Sequence, residues 1–346
     1  AAGGLPRIDF PDLSAVDPAK ISKIPEIDAD RVVAILFTSG STGLPQPHRK
    51  TWGKLVDNGL AEASRLGVDR QPLHIVGTVP AQHSYGFEST FLLALHGGCP
   101  FWSGKPFYPQ DIAAALAALP PPRLLVTTPF HLSALLAADI PLPEIALLLS
   151  ATAPLSNELA AQAEARCQAP LLEIYGSTES GQLASRRTLE GASWQLLAGV
   201  ELAQEGEYTI AHGGHVEGRV PLGDVIECRD DGRFVLIGRH ADLINIAGKR
   251  TSLAWLNHQI AGIPGVVDAA FFLPDEDPAG AITRLAAFVV APTLNRQQLL
   301  QALRQRIDPV FLPRPLVFLD ALPRNATGKL PRQTLQALFA ERQRDG

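Results

Sequence analysis

Helix-like and strand-like stretches alternate along residues 110–174, and that alternation limits the fold more than any other feature of the chain. An Ala/Leu-rich stretch with helical spacing at Ile112–Leu119 is followed by a short apolar strand signal at Leu124–Thr127. The pair repeats as His131–Ala138 with Ile145–Leu149, and again as Asn157–Cys167 with Pro170–Ile174. Short apolar runs alternating with helical patterns of this length imply βαβ units and a parallel sheet. Such sheets bind ligands in the crevice beyond the carboxyl ends of their strands. Two polar stretches fall there, Ser150-Ala-Thr-Ala-Pro154 and Tyr175-Gly-Ser-Thr-Glu179.

The rest of the chain extends this plan. Residues 1–30 are rich in Gly, Pro and Asp and are expected to form an extended lead-in. Leu55–Leu66 has helical spacing, Leu73–Pro80 is expected to be a strand, and Phe91–His96 is helix-like. From Gly199 to Ile237 short strands with turns at Glu205-Gly206 and Asp231-Gly232 predict a small antiparallel region. Helices at Leu253–Ile260 and Arg296–Ile307 and strands at Val266–Leu273 and Leu285–Val290 predict a second unit. The expected fold is therefore α/β: a large N-terminal domain, 1–240, with parallel-sheet βα units, and a small C-terminal α+β domain, 241–346.

With 346 residues, 46% of them hydrophobic and 19% charged, the chain can bury a large core. A net charge of -5 and the absence of a basic run speak against nucleic acid as a partner. No apolar run is long enough to span a membrane, and no basic-then-apolar leader opens the sequence. The three cysteines, Cys99, Cys167 and Cys228, are widely spaced and odd in number, which predicts reduced thiols and a cytoplasmic protein. His212 and His215 lack a third ligand nearby and are expected in a solvated loop. Methionine is absent throughout, so we expect that the start has been removed and that some methionines are missing from the sequence; the motif spacings are uninterrupted.

The chemistry should centre on Val32–Thr51. An apolar run from Val32 to Phe37, expected to be a buried strand, leads into Thr38-Ser39-Gly40-Ser41-Thr42-Gly43. Glycines let successive backbone N–H groups converge on a phosphate, and hydroxyls add donors without bulk. The spacing is neither that of a Walker A loop nor of a dinucleotide fingerprint. Thr38–Pro45 instead resembles the phosphate loop of the adenylate-forming enzymes, which include acyl-CoA synthetases, aryl acid ligases, luciferases and peptide-synthetase adenylation domains. Further segments follow in that family's order. They are Gln82-His-Ser-Tyr-Gly-Phe87, Ser150–Pro154, Tyr175–Glu179, Gly223-Asp224, Gly238-Arg239 and Leu322-Pro-Arg-Asn-Ala-Thr-Gly-Lys-Leu330. The resemblance covers about residues 31–342.

The resemblance implies ATP-dependent activation of a small carboxylic acid to an acyl-adenylate with release of pyrophosphate. Transfer to a thiol of CoA, or of the phosphopantetheine arm of an acyl carrier protein, would follow. By position, Thr38–Gly43 would cradle phosphate, Ala151 and Ala153 flank adenine, Tyr175 stack on it, and Gly176 belong to the same nucleotide-binding segment. Thr178 would bond the α-phosphate and Glu179 hold Mg²⁺. Asp224 and Arg239 would take the ribose, His83 line the acid pocket, and Lys329 bond the attacking carboxylate. The C-terminal domain would act as a mobile lid. The sequence departs from the pattern where lysine should follow Pro45, since Gln46 stands there, and Ala241 occupies the hinge position. Most relatives carry a longer segment before the phosphate loop. These departures support the alternative of a nucleotide-binding module of the same fold with impaired catalysis. Acyl transfer by a serine nucleophile is not supported, because G-x-S-x-G is absent.

Overall fold

The computed structural model describes residues 26–39, 45–206, 208–229, 231–239, 243–246, 248–274, 284–324 and 330–344. The first strands, β1 (Val32–Ser39) and β2 (Pro45–Thr51), form an antiparallel hairpin that is a two-stranded sheet of its own. The expectation that β1 is buried is corrected here. Val33, Ile35 and Phe37 are exposed, Phe37 at 63%. Side chains alternate faces along a strand, and a two-stranded ribbon can turn only one face towards the body of the protein. Residues 34, 36 and 38 share that inward face with His48 and Lys50 by register, which leaves the alternate apolar residues outside.

The hairpin leads into α1 (Trp52–Leu66), which ends on Gly67 in the left-handed conformation. The strands β3 (His74–Gly77), β4 (Arg123–Thr127), β5 (Leu147–Ser150) and β6 (Leu171–Ser177) pair in parallel, as predicted. Between β3 and β4 run the short turn α2 (Ser84–Gly86), a π-helical stretch Phe87–Leu92, α3 (Leu93–Gly97) and α4 (Pro109–Ala118). The remaining crossovers are α5 (Pro129–Ala137), capped by Thr128, and α6 (Asn157–Cys167), capped by Ser156. Residues on the parallel strands face alternate sides. Ile75, Leu124 and Leu149 pack with Ala63 and Leu93 on one face, and Val76, Leu125 and Leu148 pack with Ile112, Leu132 and Ala160 on the other. That two-sided burial explains why these strands read as unbroken apolar runs.

The antiparallel region is more than an appendage. Strands β7 (Gly181–Arg187), β8 (Ser193–Leu196), β12 (Asp224–Cys228) and β13 (Arg233–Arg239) continue the same sheet, giving eight strands in the order β12-β13-β8-β7-β6-β5-β4-β3. Between them, β9 (Val200–Glu205), β10 (Tyr208–Gly213) and β11 (Val220–Pro221) form a separate three-stranded sheet.

Beyond residue 242 come the hairpin β14 (Leu243–Ile246) and β15 (Lys249–Ser252), then α7 (Leu253–Ala261), β16 (Asp268–Phe272), β17 (Ala286–Val290), α8 (Arg296–Arg304), β18 (Leu316–Phe318) and α9 (Arg332–Arg344). Two apolar clusters, one around Leu256, Phe271 and Leu299 and one around Phe272, Phe288 and Leu335, draw only on residues beyond 242. This is the α+β composition that the sequence predicts.

Candidate active site

The site grows from the end of β6. Strands β6 and β7 are joined by the turn Thr178-Glu179-Ser180, and their pairing is irregular between Tyr175 and Gly176. Gly176 permits this, because a Cβ there would lie 2.2 Å from the Gly181 carbonyl oxygen. The turn is closed by reciprocal hydrogen bonds in which Ser177 N–H donates to Ser180 Oγ and Ser180 N–H donates to Ser177 Oγ, each 3.2 Å. Thr178 Oγ1 lies 3.1 Å from Ser84 Oγ at the start of α2. His83 precedes it as the N-cap, its Nδ1 accepting from Tyr85 N–H at 3.3 Å. A Cβ on Gly86 would lie 2.3 Å from the Pro80 carbonyl oxygen, so the protein's own backbone approaches closely at that point.

The hairpin faces this turn. Thr38 Oγ1 and His48 Nε2 share a hydrogen bond of 3.0 Å, and the same imidazole nitrogen is 3.6 Å from a Glu179 carboxylate oxygen. Lys50, only 4% exposed, donates from Nζ to the Glu179 carbonyl oxygen at 3.0 Å. Burial pushes the Lys50 ammonium below its ordinary pKa, while the carboxylates of Glu88, Glu217 and Glu179 pull it back up. Glu217 in turn accepts from the backbone N–H and hydroxyl of Thr51, at 2.7 and 2.8 Å. Through His48 and Lys50, β2 is therefore tied to Glu179 of the β6–β7 turn at two points.

On the other side of the turn, the Tyr175 hydroxyl donates to Asp224 Oδ2 at 2.8 Å. Its ring packs beside Trp194 and Phe234, each 5.7 Å away between centroids. Asp224 pairs with Arg239 across β12 and β13. Ala151 is buried and Ala153 half-buried just after β5. Between them Thr152 has φ +80°, a conformation that a β-branched residue rarely adopts. Gly40, Ser41, Thr42, Gly43, Ala241 and Lys329 lie outside the described residues, as do the side chains of Ser39 and Arg239. The other predicted residues, Thr38, His83, Ala151, Ala153, Tyr175, Gly176, Thr178, Glu179 and Asp224, all stand on the loops or strands just described.

A family model described as AMP-binding enzyme matches residues 6–204, and one described as AMP-binding enzyme C-terminal domain matches residues 257–329. The chain belongs to this family. It is 31% identical over 301 residues to a 4-coumarate–CoA ligase of Rhodobacter capsulatus, covering 86% of this chain and 74% of that protein. It is 27% identical over 345 residues to a 4-chlorobenzoate–CoA ligase of an Arthrobacter species, covering 87% of this chain and 65% of that one. The chain thus spans about two thirds to three quarters of the length of these relatives. In fold it is similar to the O-succinylbenzoate CoA synthetase of Bacillus subtilis in complex with ATP and magnesium, with a TM-score of 0.76, 21% identity, and coverage of 90% of this chain and 72% of that one. Ligation of a carboxylic acid to CoA through an acyl-adenylate is the reaction class of this family and of the ligases that the chain resembles.

In this AMP-binding enzyme a buried polar layer lies behind the turn, and the sequence reading missed it. Asn58 and Glu62 of α1, Glu88 and Ser89 of the π-helical stretch, and Gln182 of β7 are all buried. Gln182 Nε2 donates to Ser89 Oγ at 2.6 Å. Burial drives Glu62 up to about 7 against the partial relief of Ser89 and Gln182, and it drives Glu88 up to about 8 against the pull of Lys50. His215 belongs to this layer too, which corrects the expectation of a solvated loop. It is 4% exposed and its Nε2 hydrogen-bonds the Gln182 carbonyl oxygen, because the turn that carries it packs beside Gly181. His212 is half-buried, with Nδ1 4.0 Å from a Glu201 carboxylate oxygen. His48, Lys50 and Ser84 were likewise not singled out from sequence. The alternation Gln46, His48, Lys50 along a strand that leaves the phosphate loop was the available signal.

Proposed function

We propose that the chain joins a small aromatic carboxylic acid to a thiol, with Mg-ATP as the energy source. One observation carries this reading: Thr38, His48 and Lys50 from the hairpin that bears the phosphate loop meet Glu179 from the β6–β7 turn, with Ser84 reaching Thr178. Three segments far apart in sequence thus converge at one place. The aromatic class of acid rests on the names of the relatives, a 4-coumarate and a 4-chlorobenzoate ligase. In the first step a carboxylate oxygen attacks the α-phosphorus of ATP, the bond to the bridging oxygen breaks, and pyrophosphate leaves. In the second, a thiolate attacks the acyl carbon and AMP leaves. The thiol belongs to CoA or to the phosphopantetheine arm of a carrier protein.

The residues take the roles that the resemblance implies, and their chemistry suits them. Thr178 and Thr38 donate hydroxyl hydrogen bonds to phosphate oxygens, alongside the loop Ser39–Gly43. Asp224, already fixed by Tyr175, accepts from the ribose hydroxyls, and Arg239 donates to them. The Tyr175 ring and Gly176, with Ala151 and Ala153, bound the adenine, and His83 stands towards the acid. Lys329 bonds the attacking carboxylate and the bridging oxygen, where charge develops in the transition state. Glu179 suits Mg²⁺, since a hard cation takes one or two carboxylates together with phosphate oxygens and water. Its carboxylate is 41% exposed on the turn, and among the described residues no three His, Cys, Asp or Glu side chains gather to hold a metal by themselves. When bound with ATP, the ion neutralises charge on the phosphate oxygens.

Cysteines 99, 167 and 228 are free thiols, and among the described residues no helix is long and apolar enough to cross a membrane. Both are in keeping with a cytoplasmic site of action. The replacement of lysine by Gln46 favours one second reading, a module that binds nucleotide without turning it over. Pyrophosphate release across a panel of aryl and alkyl acids separates the two. Release that depends on an aryl acid, and that falls by about two to three orders of magnitude in Lys329→Ala, is expected of the ligase. Nucleotide binding without release under any acid refutes it.

A further inference from the structure

We propose that His48 and Lys50 are positioning residues that hold Glu179 at both ends, Lys50 at its carbonyl oxygen and His48 beside its carboxylate. The inference rests on the reading of Glu179 as the Mg²⁺ ligand.

The argument begins with the period of two along β2. Gln46, His48 and Lys50 lie on one face of the strand, the face shared with Thr38, and that face looks onto the β6–β7 turn. Gln46 is exposed and pairs directly with Thr38. An amide there carries no charge for a polyphosphate to meet. The two cationic residue types that follow it on the same face both reach Glu179. Lys50 reaches inward and fixes the main chain through the carbonyl oxygen at 3.0 Å. His48 lies between Thr38 and Glu179, 3.0 Å from the hydroxyl and 3.6 Å from the carboxylate.

The physical effect is preorganisation. A glutamate side chain has three rotatable bonds, and an exposed one sweeps a wide volume before it can ligate a metal. With its carbonyl pinned by Lys50 and its carboxylate 3.6 Å from the His48 imidazole, the side chain is kept against the face of β2. Ordering the side chain in advance removes a cost that would otherwise fall on metal binding. Outer partners that orient a metal ligand typically contribute about 10- to 100-fold in affinity or activity. Lys50 serves the turn in a second way. Its buried ammonium has in its surroundings the carboxylates of Glu88, on the π-helical stretch, and of Glu217, two residues beyond His215.

The test measures metal binding without turnover. Mn²⁺ binding to the whole chain is followed by electron paramagnetic resonance in the presence of α,β-methylene-ATP, which cannot release pyrophosphate. His48→Leu and Lys50→Met are each expected to weaken Mn²⁺ by about 10-fold. His48→Gln, which keeps a donor beside the carboxylate, is expected to stay within about threefold of the parent. The pair His48→Leu and Lys50→Met together should lose less than the product of the single losses, because both act through one residue. Glu179→Gln is the reference. If Glu179→Gln weakens Mn²⁺ while His48→Leu and Lys50→Met bind it as the parent does, the grip is refuted and the metal-ligand reading stands. If Glu179→Gln leaves Mn²⁺ binding unchanged, both are refuted. His48 is part exposed on a two-stranded ribbon, so the comparison of His48→Leu with His48→Gln decides the matter even where Lys50→Met fails to fold.

Discussion

Replacing Glu62 by glutamine should change how stability depends on pH, and the size of the change can be worked from its surroundings. Glu62 is fully buried in α1, and burial raises its carboxyl from the ordinary 4.5 to about 7. The folded protein therefore holds a proton that the unfolded chain gives up above about pH 4.5. Stability falls as pH rises through that value, and the loss is complete once pH exceeds the folded value of about 7. At about 1.4 kcal/mol per pH unit, the full penalty is about 3 kcal/mol. Glutamine keeps the shape and the hydrogen-bonding reach towards Ser89 and Gln182 but cannot ionise. Glu62→Gln should thus be more stable than the parent by about 1 kcal/mol at pH 5 and by about 3 kcal/mol at pH 8. Glu88 adds to the effect with the same sign, because the Glu62 charge is one of the causes that raise it. Urea unfolding of both proteins at pH 5, 6.5 and 8 reads the difference directly, since titrating groups that do not interact with Glu62 cancel in the comparison. A difference that stays flat across this range would refute the reasoning.

Thr152→Gly should stabilise the protein by about 1 kcal/mol, because glycine adopts φ +80° freely whereas a β-branched residue is strained there by about 1–3 kcal/mol; a lower melting temperature would show that the Thr152 side chain contributes more than its backbone costs. Tyr175→Phe removes the hydroxyl that fixes Asp224 at 2.8 Å. It should weaken AMP by about fivefold, in line with about 1 kcal/mol for one hydrogen bond, and isothermal titration with AMP against 2′-deoxy-AMP should show the variant discriminating less between them. Ala241→Pro should leave pyrophosphate exchange near the parent rate and cripple thioester formation, since a ring-fixed φ hinders rotation of the C-terminal domain. Single-turnover thioester formation at the parent rate would remove Ala241 as the hinge.

The parallel half of the molecule was legible because its strands are buried on both faces and its helices on one. Leu124–Thr127 and Ile145–Leu149 could hardly be anything but core strands, and they occupy β4 and β5. Val32–Phe37 has the same letters and a different fate. Composition gives the strand but not its partners, and with only β2 beside it half the apolar side chains face outward. The motifs picked out residues next to strand ends, and Tyr175, Thr178 and Glu179 stand at the end of β6 and on the turn that follows it. They did not reveal the layer behind the site. Glu62, Glu88, Asn58 and Gln182 are polar letters that look like surface positions. They are buried because α1, the π-helical stretch and β7 meet with their polar faces together. Nothing local in the sequence announces such a meeting. His215 was misread for the same reason, its partner being a backbone carbonyl 33 residues away.

The central claim is that a carboxylate oxygen of the acid attacks the α-phosphorus of ATP. The direct test supplies the aryl acid that gives the highest pyrophosphate release, labelled with ¹⁸O in its carboxylate, together with ATP, Mg²⁺ and CoA. AMP is then examined by mass spectrometry. One ¹⁸O atom is expected in each AMP released and none in pyrophosphate, because the oxygen that bonds to phosphorus leaves with AMP when the thiol takes the acyl group. Unlabelled AMP, or ADP and phosphate in place of AMP and pyrophosphate, would contradict it.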